Sequence, residues 1–178
     1  MHKRHTRLSL QTVLLFVGAI FGTFACSGQT ATNKLPEPPA APRTFTTADL
    51  TNLKWIEGTW RGSGDAEKPF FERYRFENDT TLAVDSFDDE SLEKVTETSR
   101  FVLKDGQFAS AGEGSRWAAT ELTKDSITFS PIAKARNTFI WQKKSEDAWE
   151  AVLEWPATDT KPATKRIYLM ARIPEPKK

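Results

Sequence analysis

The amino-acid sequence predicts an all-β protein: a single antiparallel meander barrel of about ten strands, preceded by a short helix. Three observations carry that expectation. From Gly58 onward, short segments rich in aromatic and β-branched residues recur at roughly ten-residue spacing, separated by turn signals. In AWEAVLEW, Trp149, Ala151, Leu153 and Trp155 fall on one parity while Glu150 and Glu154 fall on the other, the pattern of a half-buried strand. Helical spacing occurs in one place only, before the first strand. Many short connections imply strands that pair with their chain neighbours, and a sheet that long curls closed so that no edge stays exposed. A two-sheet sandwich is the structural alternative.

The chain opens with MHKRHTR, a basic stretch, followed over residues 8–25 by LSLQTVLLFVGAIFGTFA and then by Cys26. This is the grammar of a secretory signal. Thr23-Phe24-Ala25-Cys26 resembles the bacterial lipobox, departing from it at Thr23, where a larger aliphatic residue is usual. The resemblance implies cleavage before Cys26 and lipidation of its thiol, with residues 1–25 as signal peptide. Ser27 after the cysteine resembles the outer-membrane sorting pattern of enteric bacteria, so the expected location is the bacterial cell envelope, lipid-anchored and facing the periplasm or the surface. An uncleaved anchor is the alternative, since about eighteen apolar residues can just span a bilayer. Residues 26–44 are rich in Pro, Ala and Thr and bury little, so they read as a tether. The barrel is expected over 45–174, with a disordered tail at 175–178.

The helix comes next. TTADLTNLKWIEG offers Thr46 or Thr47 as N-cap, Asp49 in the first turn, and Leu50, Leu53 and Ile56 at helical intervals, ending at Gly58. Ten segments follow: GTWRGSG, FFERYRF, TLAVDSF, KVTETSRFVL, QFASAGE, SRWAATEL, SITFSPI, NTFIWQKK, AWEAVLEW and KRIYLMARI. Asp105-Gly106 is the best two-residue hairpin signal among the turns.

Composition excludes several function classes. Without its three basic leader residues, the chain carries 22 Lys and Arg against 24 Asp and Glu, a formal charge of −2. No basic face is evident, so nucleic-acid binding is not expected. Both histidines, His2 and His5, and the only cysteine, Cys26, lie at or before the predicted cleavage site. The domain therefore lacks Ser-His-Asp and Cys-His arrangements, the common zinc ligand sets and any internal disulfide. No metal and no cofactor are expected. The acidic run Asp85 to Glu90 lacks the spacing and the turn glycine of an EF-hand loop and reads as a solvated hairpin tip.

The glycines of GTWRGSG raise the question of a phosphate loop. No Lys follows them, and a strand rather than a helix comes next, so the loop chemistry is missing. Gly58-Thr59-Trp60, at the head of the first strand after a short helix, instead resembles the Gly-x-Trp of lipocalin and calycin barrels. Leu53 to Gly64 is also similar to the opening of nitrobindin-like domains. The resemblance implies that Gly58 admits a tight turn and Trp60 plugs one end beneath a cation from the last strand. Arg172 is the best match for that cation and Arg166 the second. The sequence departs from nitrobindin in lacking the haem-ligating His, so haem is not expected.

Inside such a barrel, parity nominates the lining. Glu72 shares a face with Phe70, Tyr74 and Phe76, and Glu97 one with Val95, Ser99 and Phe101. Two interior carboxylates would suit a cationic or hydroxylated ligand, or an acid–base pair; the favoured reading is plainer, that each pairs with an interior Arg such as Arg116 or faces solvent. Trp117, Trp141, Trp149 and Trp155 are further candidates to line a cavity. The expected function is binding of a small, mostly apolar molecule, with catalytic residues unassigned. The alternative is a solid barrel that docks an envelope protein.

Overall fold

The computed structural model describes residues 43–64 and 68–174. The predicted signal peptide, Cys26, the tether up to Pro42 and the tail at 175–178 lie outside the described residues.

The first element is a single turn of α-helix, α1 (Thr47–Leu50), which tightens at once into a 3₁₀ helix, η1 (Thr51–Ile56). Thr46 is the N-cap: its hydroxyl accepts from the Asp49 N–H, and the Asp49 carboxylate accepts from the Thr46 N–H, a reciprocal capping box. Leu50, Leu53 and Ile56 turn their side chains into the core, where each is almost fully buried. Gly58 follows with φ of +127°, a conformation open to glycine and strained for other residues. The chain thereby leaves the helix and enters the first strand without a connecting loop.

Ten strands succeed it: β1 (Gly58–Ser63), β2 (Phe70–Asn78), β3 (Thr81–Phe87), β4 (Val95–Lys104), β5 (Gln107–Ser110), β6 (Arg116–Leu122), β7 (Ser126–Ala133), β8 (Thr138–Lys143), β9 (Ala148–Trp155) and β10 (Thr164–Ile173). Each pairs antiparallel with its chain neighbours, and β1 pairs with β10, so the sheet closes into a barrel. Closure gives every strand two partners and leaves no edge to template association. At Asp105-Gly106 both residues have positive φ, as a two-residue hairpin with right-handed strand twist requires.

Antiparallel order assigns the two ends. Because β1 begins at η1, the turns at 79–80, 105–106, 123–125 and 144–147 lie at the helix end, and the loops at 88–94, 111–115, 134–137 and 156–163, with the end of β1 and the start of β2, form the opposite rim. At the start of the described residues, the Arg43 guanidinium donates to the Leu122 carbonyl at 2.7 Å, and Phe45 N–H bonds the Gly106 carbonyl at 2.7 Å. Arg43, assigned to the tether from composition, therefore belongs with the closed end: one long-range hydrogen bond outweighs the character of the surrounding residues. Among the described residues, no helix is long and apolar enough to cross a membrane.

Candidate functional site: a plugged barrel with an aromatic cavity

At the closed end, Trp60 is buried to 1% exposure, and its indole N–H donates to the Ile56 carbonyl at 2.7 Å. Arg172, opposite Trp60 in the β1–β10 register, places its guanidinium carbon 4.0 Å from the centroid of the Trp60 ring. The same guanidinium donates to the carbonyls of Glu57 at 2.8 Å, Trp55 at 3.2 Å and Glu146 at 2.9 Å. The last carbonyls of η1 have no partners within the helix, and a cation is the favoured neighbour there. Trp60 and Arg172 together take the carbonyls of residues 55, 56 and 57. Gly58 has no side chain to obstruct this, since a Cβ there would lie 2.3 Å from Arg172 Nη1. Arg166 stands elsewhere, towards the rim, where it donates to the Tyr168 hydroxyl at 2.9 Å.

Above the plug lies a cavity of about 270 Å³, open to solvent and walled largely by aromatic residues: Phe70, Tyr74, Phe101, Phe139, Trp141, Trp149 and Tyr168. Tyr74 stands edge-on to both Trp141 and Trp149, with ring centroids 5.5 Å apart in each case. Such edge-to-face pairs fix the rings beyond their area burial. The Trp149 indole N–H is buried with no hydrogen-bond acceptor among the described residues, as is that of Trp55.

One carboxyl enters this wall. Glu72 sits opposite Trp60 on β1 and Ser86 on β3, and its Oε2 accepts from the Tyr74 hydroxyl at 2.7 Å. Residues i and i+2 of a strand share a face, which brings the two groups together. Its surface is only partly buried because the cavity is open, yet the surrounding protein is dense. Desolvation raises the Glu72 pKa, against the lowering effect of the Tyr74 hydrogen bond. Burial first, and the neighbouring Glu72 second, push Tyr74 well above its ordinary value, so the phenol stays protonated.

Of the residues nominated by parity, Glu72, Tyr74, Trp141 and Trp149 line the cavity; Glu97, Trp117 and Trp155 do not. Glu97 lies opposite Ser86 and so continues the row of Glu72, but at the rim, exposed to water. Trp117 is half-buried nearer the rim, packed on Phe139, with its indole N–H on the Asn137 carbonyl at 2.9 Å. Trp155 borders a separate depression on the rim beside Arg136 and Lys161. Parity tells which way a side chain points; the stagger between tilted strands sets its height in the barrel. Phe70, Val84, Ser99, Phe101, Phe139, Ala151, Tyr168 and Met170 complete the lining. Of these, parity had placed Phe70, Ser99, Phe101 and Ala151 on the inward face without nominating them as lining, and alternation within β10 could have found Tyr168.

Among the described residues, no cluster of three or more His, Cys, Asp or Glu is placed to hold a metal ion. Fold and cavity together define a closed ten-stranded antiparallel barrel, plugged at one end, with a small open cavity toward the other. No protein-family model matches the chain, and no curated protein sequence does. Among solved structures, the chain is similar to EF1p2_mFAP2b bound to DFHBI, at 9% identity and a TM-score of 0.36, covering 68% of this chain and 97% of that one. It is also similar to a redesigned beta barrel, at 13% identity and a TM-score of 0.33, covering 69% of this chain and 96% of that one. At such TM-scores the fold assignment rests on this chain's own strand order.

Proposed function

We propose that this protein is a lipid-anchored barrel of the lipocalin-like type that holds a small, mostly apolar molecule in the bacterial cell envelope. The carrying observation is the cavity, about 270 Å³ and lined mainly by aromatic side chains. Ligand sites are typically apolar concavities of roughly 300–1,000 Å³ with a few placed polar groups. This one falls just below that range, which suits a ligand of one ring or a short chain. The cavity favours this reading over a solid barrel that docks an envelope partner.

The anchor rests on the sequence around Cys26. A diacylglycerol thioether with an N-acyl chain supplies several acyl chains, at ~0.8 kcal/mol per buried CH₂, enough for stable attachment without a membrane span. Native mass spectrometry of the purified full chain, before and after organic extraction, tests the first half. A defined small molecule released from the folded protein supports it, and failure of both native adducts and added apolar probes to bind ends it. Fatty-acid labelling of wild type and Cys26→Ser tests the second half, with labelling unchanged in the variant as the contrary result.

A further inference from the structure

We propose that the cavity selects an organic cation, a protonated amine carried on a small apolar body, and that Glu72 is its anionic anchor. This rests on the ligand-binding reading above and names the chemical class of the ligand.

Charge in the wall is one-sided: among the described residues, Glu72 is the only carboxylate in the lining, and no Lys, Arg or His lines the cavity. Among the described residues, Glu72 has one hydrogen-bond partner, the Tyr74 hydroxyl on Oε2, and no ion-pair partner. Oε1 accepts no hydrogen bond among the described residues and borders the open cavity. A partly desolvated carboxylate gains from a partner of opposite charge, and a cation entering the cavity would supply one. The remaining surface suits the same ligand. Tyr74, Trp141 and Trp149 are mutually inclined by 65° to 90° and together border the cavity. Aromatic rings carry negative potential on their faces and attract ammonium groups. A carboxylic acid of the same size would meet Glu72 with like charge and find no base in the wall. A neutral alcohol would fit the space but supply no charge.

The neighbours of Glu72 do not neutralise it. On its own strand stands Tyr74, held protonated. Across from it are Trp60 on β1 and Ser86 on β3, both uncharged, with Arg172 beyond Trp60 already committed to the plug. On β4, Glu97 continues the row at the rim, where its charge would draw a cation inward. On β10, Tyr168 lines the cavity, and Arg166 above it is engaged with the Tyr168 hydroxyl. Because burial raises the Glu72 pKa, cation binding should weaken on acidification at a higher pH than an ordinary carboxylate would show.

The experiment compares benzylamine with benzyl alcohol, nearly equal in shape and different in charge, on the purified full chain. Isothermal titration calorimetry supplies the affinities, and quenching of tryptophan fluorescence checks that the ligand reaches the Trp141 and Trp149 wall. At pH 7.5 the amine is expected to bind at least tenfold tighter. Glu72→Gln should abolish that preference, and circular dichroism should show the variant folded. Amine affinity of the wild type should fall on acidification while that of the alcohol stays level. Equal affinities, or a preference that survives in Glu72→Gln, overturn the cation assignment and leave the apolar-ligand reading standing. Binding of neither probe counts against both.

Discussion

Arg172 concentrates several weak interactions on one side chain: a cation–π contact with Trp60 and hydrogen bonds to three main-chain carbonyls on two different segments. Arg172→Met keeps the aliphatic stem and removes the donors, leaving the Glu57 and Trp55 carbonyls without their partner. A loss of about 2–3 kcal/mol is expected in urea denaturation, since hydrogen bonds to charged groups and cation–π contacts are of this order. A loss below about 0.5 kcal/mol would mean that the guanidinium only decorates the plug. Glu72 works in the opposite direction. Its folded-state pKa is raised, so on increasing pH the unfolded chain ionises first and draws the equilibrium towards itself. The stability lost this way is intact below the ordinary glutamate range and disappears as pH climbs towards the raised value. Glu72→Gln cannot ionise. Melting curves should therefore show the variant close to wild type near pH 3.5 and more stable than wild type at pH 7.5; equal melting temperatures at both pH values would show that the burial of Glu72 costs nothing.

At the scale of elements, the helix–strand junction is the part with least freedom. η1 must end, release its carbonyls to Trp60 and Arg172, and become β1 within two residues. Gly58 makes that possible twice over, by its φ of +127° and by leaving room for Arg172 Nη1. Gly58→Ala is expected to cost about 1–3 kcal/mol from backbone strain alone, with a further penalty from the displaced guanidinium. The two contributions separate in a double-mutant cycle. Gly58→Ala should cost less in an Arg172→Met background than in wild type, and strict additivity in urea denaturation would show that the clash is absorbed elsewhere. This junction was legible as Gly-x-Trp with a cation from the last strand. The companion hydrogen bonds of Arg172 to Trp55 and Glu146 were not, because main-chain acceptors carry no residue signature. In β2 the alternation of Phe70, Glu72, Tyr74 and Phe76 was legible, while the bond between the Glu72 and Tyr74 side chains depends on rotamers that parity leaves open.

For the whole molecule, closure is the decisive event. β1 and β10 pair over Thr59 to Ser63 against Ile173 to Leu169, joining strands from opposite ends of the domain. A chain ending at Pro162 would lack β10 and leave the flanks of β1 and β9 unpaired, exposing the aromatic interior along the gap. Such a chain should lose cooperative thermal unfolding and elute as aggregates in size-exclusion chromatography; a monomeric, cooperatively melting product would mean that nine strands close without it.

The sequence by itself determined which segments become strands and which side chains of each share a face, because alternation and turn chemistry act over a few residues. It also marked the plug, since glycine and tryptophan at a strand head are constrained locally. Only the tertiary structure decided depth. Trp149 lines the cavity and Trp155 reaches the rim, although both lie on one face of β9. Glu72 and Glu97 share a row, and one meets aromatic rings while the other meets water. Depth is the sum of strand tilt and register stagger accumulated around ten pairings, and no single strand contains that sum.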